Sequence, residues 1–205
     1  MESLSLFRKP DCDKTLGIEW EMFWDQNDPK LKRGEQHLKF FYITTDGSLR
    51  WTGLNRYDMY GRELVSQPLP FKWLLKELER INKIIPQVYT NDTCGIHVHV
   101  SRKWATPKKV DHLATFLASL TPEELLSAFG RMPNCYCKHM SGWTKDTRTR
   151  YYGLNTTRKD TVEFRVFRSG DVKWAQYCVK MVNYLMTQAN TLNKDAFFAF
   201  VDMEQ

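Results

Sequence analysis

The sequence predicts an α+β protein with a largely antiparallel sheet. Segments with strand alternation dominate the first half of the chain, and segments with helical spacing dominate the second. The regular βαβ alternation that marks a parallel sheet is missing. Three of the strands also split into an apolar row and an ionisable row, as in a sheet with one face on a core.

Residues 16–24 alternate strongly and read as a strand, as do 38–44 and 61–66. The stretch DGSL at 46–49 supplies turn chemistry between the second and third strands. Segment 70–85, PFKWLLKELERINKII, carries apolar residues at helical spacing, with Pro70 suited to a first turn and Pro86 to a stop. A strand at 94–101, CGIHVHVS, follows. Segment 107–129 reads as two helices, one opening on Thr106-Pro107 and one on Thr121-Pro122 with acids in its first turn. The polar, turn-rich stretch 130–149 predicts a mobile loop. Strands follow at 150–156 and 161–168, then a long helix over 172–190 capped by Asp171, then a short helix at 194–201.

The 205 residues suit one domain spanning 1–205, and a 42% hydrophobic, 14% aromatic composition supplies its core. No run of 18 apolar residues marks a membrane span. The opening MESLSLFRKPDCDK lacks a secretory pattern, and five irregularly spaced cysteines fit a reducing compartment better than a disulfide framework. A cytoplasmic protein is expected. The net charge of +6 suits an anionic partner such as a nucleotide, an acidic peptide or nucleic acid. The basic residues are scattered, with small clusters at 30–33, 102–103 and 147–150, and no block of like charge marks a nucleic-acid tail.

Side chains at i and i+2 of a strand share a face. In GIEWEMFW, Ile18, Trp20, Met22 and Trp24 form one row, and Glu19 and Glu21 point the other way. In CGIHVHVS, Cys94, Ile96, Val98 and Val100 form one row, and His97, His99 and Ser101 the other. In TVEFRVFR, Val162, Phe164 and Val166 oppose Thr161, Glu163, Arg165 and Phe167. Glu63 adds a carboxylate from a fourth strand. Gathered on one face, Glu19, Glu21, Glu63, Glu163, His97 and His99 would repel one another without a cation. Carboxylate-rich ligation suits magnesium or manganese better than zinc. Neighbours at i and i+2 stand roughly 7 Å apart, so two glutamates of one strand can each reach a different ion.

Six segments occur in order: GIEWE (17–21), DGSL (46–49), ELVSQPL (63–69), CGIHVHVS (94–101), RYYGLN (150–155) and TVEFRVFRSG (161–170). Together they resemble the amidoligase family, small relatives of glutamine synthetase and glutamate–cysteine ligase, over most of the chain. The resemblance implies a curved, mainly antiparallel sheet forming a half-funnel, with helices on its convex face. It implies an ATP-dependent carboxylate–amine ligase that makes an amide through an acyl phosphate, with Mg2+ or Mn2+ as cofactor. By the same resemblance, Glu21 and Glu63 hold the ion beside the acceptor carboxylate, and Glu19, His97 and Glu163 hold the ion on the ATP phosphates. His99 then contacts the nucleotide, Arg165 holds substrate or the transferred phosphoryl group, and Arg150 falls where relatives place an arginine on the phosphates. The implied partners are a small-molecule or peptide carboxylate and an amine, in a bacterial or phage-infected cell. No Gly-rich phosphate loop and no segment dedicated to adenine is recognisable, so ATP enters through the resemblance alone.

Other features compete. Cys135, Cys137 and His139 alternate in NCYCKH, but zinc wants a fourth ligand and usually a two-residue gap between cysteines. His37 and His112 are isolated, the latter on a helix and either at the surface or partly buried. Trp174, Tyr177 and Tyr184 sit at helical spacing and belong to the core. Asp46 and Asn155 suit a turn and a strand end as well as a site. The stretch from Arg148 to Tyr152 could bind nucleic acid through charge and stacking. Two further readings therefore stay open: a zinc-dependent hydrolase using His97 and His99, and a non-catalytic nucleic-acid-binding protein that keeps the fold. The first leaves Glu19 and Glu21 unexplained. The second predicts missing ligands, whereas every expected ligand position is filled.

Overall fold

A computed structural model describes residues 13–25, 38–51, 59–85 and 88–204. The basic cluster at 30–33, His37, Pro86 and the opening twelve residues lie outside the described residues. Seven strands form one open sheet: β1 Thr15–Asp25, β2 Phe41–Thr45, β3 Met59–Ser66, β4 Leu69–Pro70, β5 Gly95–Ser101, β6 Leu154–Asn155 and β7 Thr161–Arg168. Their order is β2-β3-β1-β5-β7-β6, with β4 also on β1. Every pairing is antiparallel. The α+β architecture with an antiparallel sheet is therefore the one expected from the alternation. No helix among the described residues is long and apolar enough to cross a membrane.

The apolar rows build the core. Leu16, Ile18, Trp20, Met22 and Trp24 of β1 lie beside Ile96, Val98 and Val100 of β5 and Val162 and Phe164 of β7, all buried. Helices α1 (Phe71–Ile81), α2 (Pro107–Ser119), α3 (Pro122–Phe129), α4 (Val172–Gln188) and α5 (Lys194–Glu204) add their own apolar faces to this cluster. Leu74, Leu78 and Ile81 supply α1, and Val179, Val182 and Leu185 supply α4. Burial of a side chain of this size contributes about 1.5–3 kcal/mol, so these rows dominate the stability.

Local signals set the helix ends. Asp171 accepts a hydrogen bond from the Trp174 N–H and starts α4. Thr121 and Glu124 bond reciprocally to each other's backbone at the start of α3, satisfying two donors that a helix end leaves unpaired. Gly130 ends α3 at φ 66°, a left-handed position that favours glycine. Pro70 is the last residue of β4 and stands just before α1, not in its first turn. Helix α1 stops at Ile81, four residues short of the expected end, where the chain tightens into turns bonded to Leu78 and Ile81.

Three expectations change. Segment 130–149 carries a framework of its own: Asn134 Oδ1 accepts from the Tyr136 and Cys137 N–H groups, and Met140–Gly142 form a 3-10 turn. The strand expected at 150–156 shrinks to Leu154–Asn155, the residues that pair with Phe164 and Glu163. Cys94 does not follow the core row. It precedes β5 and packs with Phe23, Leu49 and Met59 in a second small cluster, next to Trp51 and Tyr89. Phe23 continues the row of Glu19 and Glu21, so this cluster closes one end of the ionisable face. Among the helix aromatics, Tyr177 is buried, and Trp174 and Tyr184 pack half-buried against the core.

The sharpest departure is at Phe167. Between the pairs Ile96↔Phe167 and Val98↔Phe164 the register shifts by one, so Arg165 and Val166 together oppose His97. This β-bulge resets the alternation of β7. Arg165 keeps its place on the ionisable face, while Phe167 turns into the core and meets Phe129 edge-on at 5.3 Å. Phe167→Ala should therefore lower the unfolding free energy by about 3–5 kcal/mol, read by urea denaturation with far-UV circular dichroism. A loss under about 1 kcal/mol, typical of a surface change, would put Phe167 back on the exposed row.

Candidate active site

Strand order converts local alternation into a site. Because β3, β1, β5 and β7 are consecutive neighbours, their ionisable rows lie side by side. Glu21 pairs with Glu63, Glu19 with His97, and His99 with Glu163. Directly opposed side chains on a sheet have Cβ atoms about 4.5–5.5 Å apart, close enough for their charged ends to touch. The edge strands add Thr44 opposite Glu63 and Asn155 opposite Glu163.

The side chains meet in a compact, mostly buried group. His97 Nδ1 lies 3.3 Å from Glu163 Oε1 and 3.5 Å from Glu19 Oε2, while its Nε2 lies 3.7 Å from Glu21 Oε1. His99 Nε2 lies 3.1 Å from Glu19 Oε1, and its Nδ1 lies 3.4 Å from Thr161 Oγ1. Glu163 is fully buried. Its Oε1 accepts from Arg165 at 2.5 Å and its Oε2 accepts from Asn155 Nδ2 at 2.6 Å. Glu21 Oε2 accepts from the Gly95 N–H at 2.6 Å. Asn155 is therefore part of the site, and it is itself held by Thr157, whose N–H and hydroxyl both donate to Asn155 Oδ1.

Surroundings divide the glutamates electrostatically. Burial opposes ionisation of Glu19, but the close imidazoles of His97 and His99 outweigh it and hold the carboxyl well below the usual range. Glu163 follows the same logic: burial opposes its charge, and His97, Arg165, His99 and Asn155 together lower its pKa. Glu63 goes the other way. Burial and the charges of Glu19 and Glu21 push it up to about 7. Glu21 stands directly opposite Glu63 on the neighbouring strand, the placement through which its charge acts on Glu63.

Among the described residues, three sets of ligand atoms each lie within 4.8 Å of one another: Glu19–Glu63–His97, Glu19–His99–Glu163 and Glu21–Asp46–Glu63. They overlap at Glu19 and at Glu63. Oxygen-rich donors with at most one imidazole fit magnesium or manganese. A second observation supports the fit. Among the described residues, buried His99 Nε2 lies 3.1 Å from Glu19 Oε1 but makes no well-aligned hydrogen bond, which leaves it available to a better-placed partner. His99, rather than His97, completes the set with Glu19 and Glu163, whereas His97 falls with Glu19 and Glu63.

Two residues enter that the sequence left open or overlooked. Asp46 accepts from the Ser48 N–H in its turn and also stands with Glu21 and Glu63. It lies two residues beyond Thr44, which faces Glu63, so the row of β2 extends to it. Arg158 lies on the turn between β6 and β7 and reaches both Glu19 Oε1, at 3.5 Å, and Glu163 Oε2, at 3.8 Å. Arg150 is exposed and lies over the Tyr151 ring, with no described contact to the carboxylates. His112 is exposed. The Cys135, Cys137 and His139 group does not assemble. Cys135 is exposed, and both His139 ring nitrogens are engaged, one 2.9 Å from Ser141 Oγ and the other 2.9 Å from the Leu120 carbonyl.

An antiparallel α+β sheet that gathers glutamates, histidines and an arginine on one face offers ligand sets able to hold a metal ion. Comparison makes this specific. The model of the family described as "Putative amidoligase enzyme" matches residues 11–142, and the chain belongs to that family of ligase-type enzymes. The match takes in Glu19, Glu21, Asp46, Glu63, His97 and His99, and ends before Asn155, Arg158, Glu163 and Arg165. No curated protein matches the chain.

The raised Glu63 has a thermodynamic consequence. A carboxyl whose folded pKa exceeds its unfolded one contributes stability that is full below the unfolded value and is lost as pH rises through the folded value. Chelator-treated protein should therefore melt at a progressively lower temperature as pH rises from 5 to 7, with the fall levelling off above about 7. Glu63→Gln should flatten the profile in this window. Equal slopes for the two proteins in calorimetric scans would show that Glu63 is not the titrating group.

Proposed function

We propose that this protein is an ATP-dependent carboxylate–amine ligase that makes an amide through an acyl phosphate. The observation that carries the reading is the convergence of Glu19, Glu21, Glu63 and Glu163 with His97, His99 and Arg165 into overlapping ligand sets on one sheet face. Its substrates are a small-molecule or peptide carboxylate and an amine. A zinc hydrolase would use the histidine pair and leave the carboxylates without a task. Here each histidine belongs to a set with two glutamates.

In this reading Glu21, Asp46 and Glu63 would hold the ion that serves the acceptor carboxylate. Glu19, His99 and Glu163, with His97 beside them, would hold the ion that serves the nucleotide. Magnesium or manganese there supplies positive charge that the carboxylate and the phosphates, both anionic, need in order to approach each other. Glu19 and Glu163 are suited to that task because their lowered pKa values keep them ionised at neutral pH. Arg165 is held in place by Glu163 Oε1, is mostly buried, and keeps an Nε without a hydrogen-bond partner among the described residues. A guanidinium so oriented can stabilise charge on a transferring phosphoryl group without reorganising. The β-bulge aims it, because Arg165 and Val166 share one place opposite His97.

Purified protein given ATP, Mg2+ and a panel of acids and amines should release ADP and phosphate for the matching pair. Glu19→Gln combined with Glu163→Gln should weaken metal-dependent binding of a non-hydrolysable ATP analogue by about 10–100-fold in calorimetric titration. Metal-dependent nucleotide binding that survives both substitutions would reject the site.

A further inference from the structure

Glu163 has no oxygen to spare. Its Oε1 meets Arg165 and His97, and its Oε2 meets Asn155 and Arg158. Glu19 is similarly engaged, with His99 and Arg158 on Oε1 and His97 on Oε2. For both carboxylates to face an ion together with His99, one of these donors has to leave. Asn155 and Arg165 are short, buried contacts within the sheet. Arg158 makes the longest contact to Glu163, at 3.8 Å, and its side chain is 51% exposed against 12% for Arg165.

The backbone that presents Arg158 is firmly held. The Arg102 guanidinium donates to the carbonyls of Thr156 and Arg158, and the Arg102 N–H donates to the Asp160 carbonyl. Thr157 is tied to Asn155. The turn is thus a fixed base and the Arg158 side chain is the part that can move. Its fork bridges a carboxylate of β1 and a carboxylate of β7 across the strand that carries His99.

We propose that Arg158 is a displaceable counter-cation: it neutralises Glu19 and Glu163 until a divalent ion takes them, and then turns to the phosphates that arrive with that ion. The inference rests on the ligase reading. The chemistry favours a guanidinium for both places, since its planar fork matches carboxylate and phosphate alike. A half-exposed ion pair is weak enough to be exchanged. Arg158 thereby opposes metal binding when the nucleotide is missing and favours it when the nucleotide is present. Such coupling is reciprocal, so metal and nucleotide each tighten the binding of the other.

The test is calorimetric titration of chelator-treated protein with Mn2+, alone and with a saturating non-hydrolysable ATP analogue. Wild type, Arg158→Ala and Arg158→Lys are compared, with circular dichroism melts to verify folding. Removing a weak competing pair should tighten Mn2+ binding alone by about 2–5-fold in Arg158→Ala, and the gain in Mn2+ affinity on adding the analogue should shrink. Arg158→Lys, which keeps charge without the fork, should fall between. Unchanged or weaker Mn2+ binding by Arg158→Ala, with wild type binding normally, would overturn the role of Arg158 and leave the ligase reading standing. An undiminished gain from the analogue would overturn the transfer to phosphate. Wild type that binds no Mn2+ with the analogue present would remove both.

Discussion

Carboxylates gathered on one face of a sheet repel one another, and everything at this site depends on how that repulsion is relieved. The relief comes from β5, which lies between the glutamates of β1 and β7. His97 stands within 3.7 Å of carboxylate oxygens of Glu19, Glu21 and Glu163. Where imidazole and guanidinium donors are dense, at Glu19 and Glu163, the carboxyls stay ionised despite burial. Where they are sparse, at Glu63, burial and the neighbouring charges of Glu19 and Glu21 push the carboxyl up to about 7. The cluster is thus polarised, with the Glu19 and Glu163 end compensated by protein donors and Glu63 shifted the other way.

The core on the opposite face makes this arrangement affordable. Trp20, Ile96, Val98 and Phe164 are buried behind the same strands that display the ionisable groups. Their burial offsets the cost of assembling charges in front. One irregularity joins the two faces. The bulge at Arg165 and Val166 lets β7 send Arg165 toward His97 and Phe167 toward Phe129 within three residues. A regular strand would put both side chains on the same face.

Guanidinium groups play distinct parts according to their burial. Arg165 is confined within the sheet, Arg158 stands at the mouth on a turn, and Arg102 holds that turn from outside. Similar chemistry thus occurs in three settings that differ in burial and in what the guanidinium meets. The family match ends before all of these but Arg102, so the second half of the site is defined by the structure rather than by the matched segment.

Alternation within single strands is local, and so the sequence by itself determined the apolar rows, the facing of Glu19, Glu21, His97, His99, Glu163 and Arg165, and the helix starts at Thr121 and Asp171. Each follows from residues a few positions apart. Strand order is not local: β1 pairs with β3 and β5 across long stretches of chain, and only that order puts Glu21 against Glu63 and His99 against Glu163. The tertiary structure also decided what no period could show. A one-residue bulge moved Phe167 into the core, Asp46 joined Glu21 and Glu63 from the end of β2, and Arg158 reached the carboxylates while Arg150 did not. The physical reason is the same in each case: side-chain period fixes which way a residue points, but only hydrogen-bonded register between distant strands fixes what it meets.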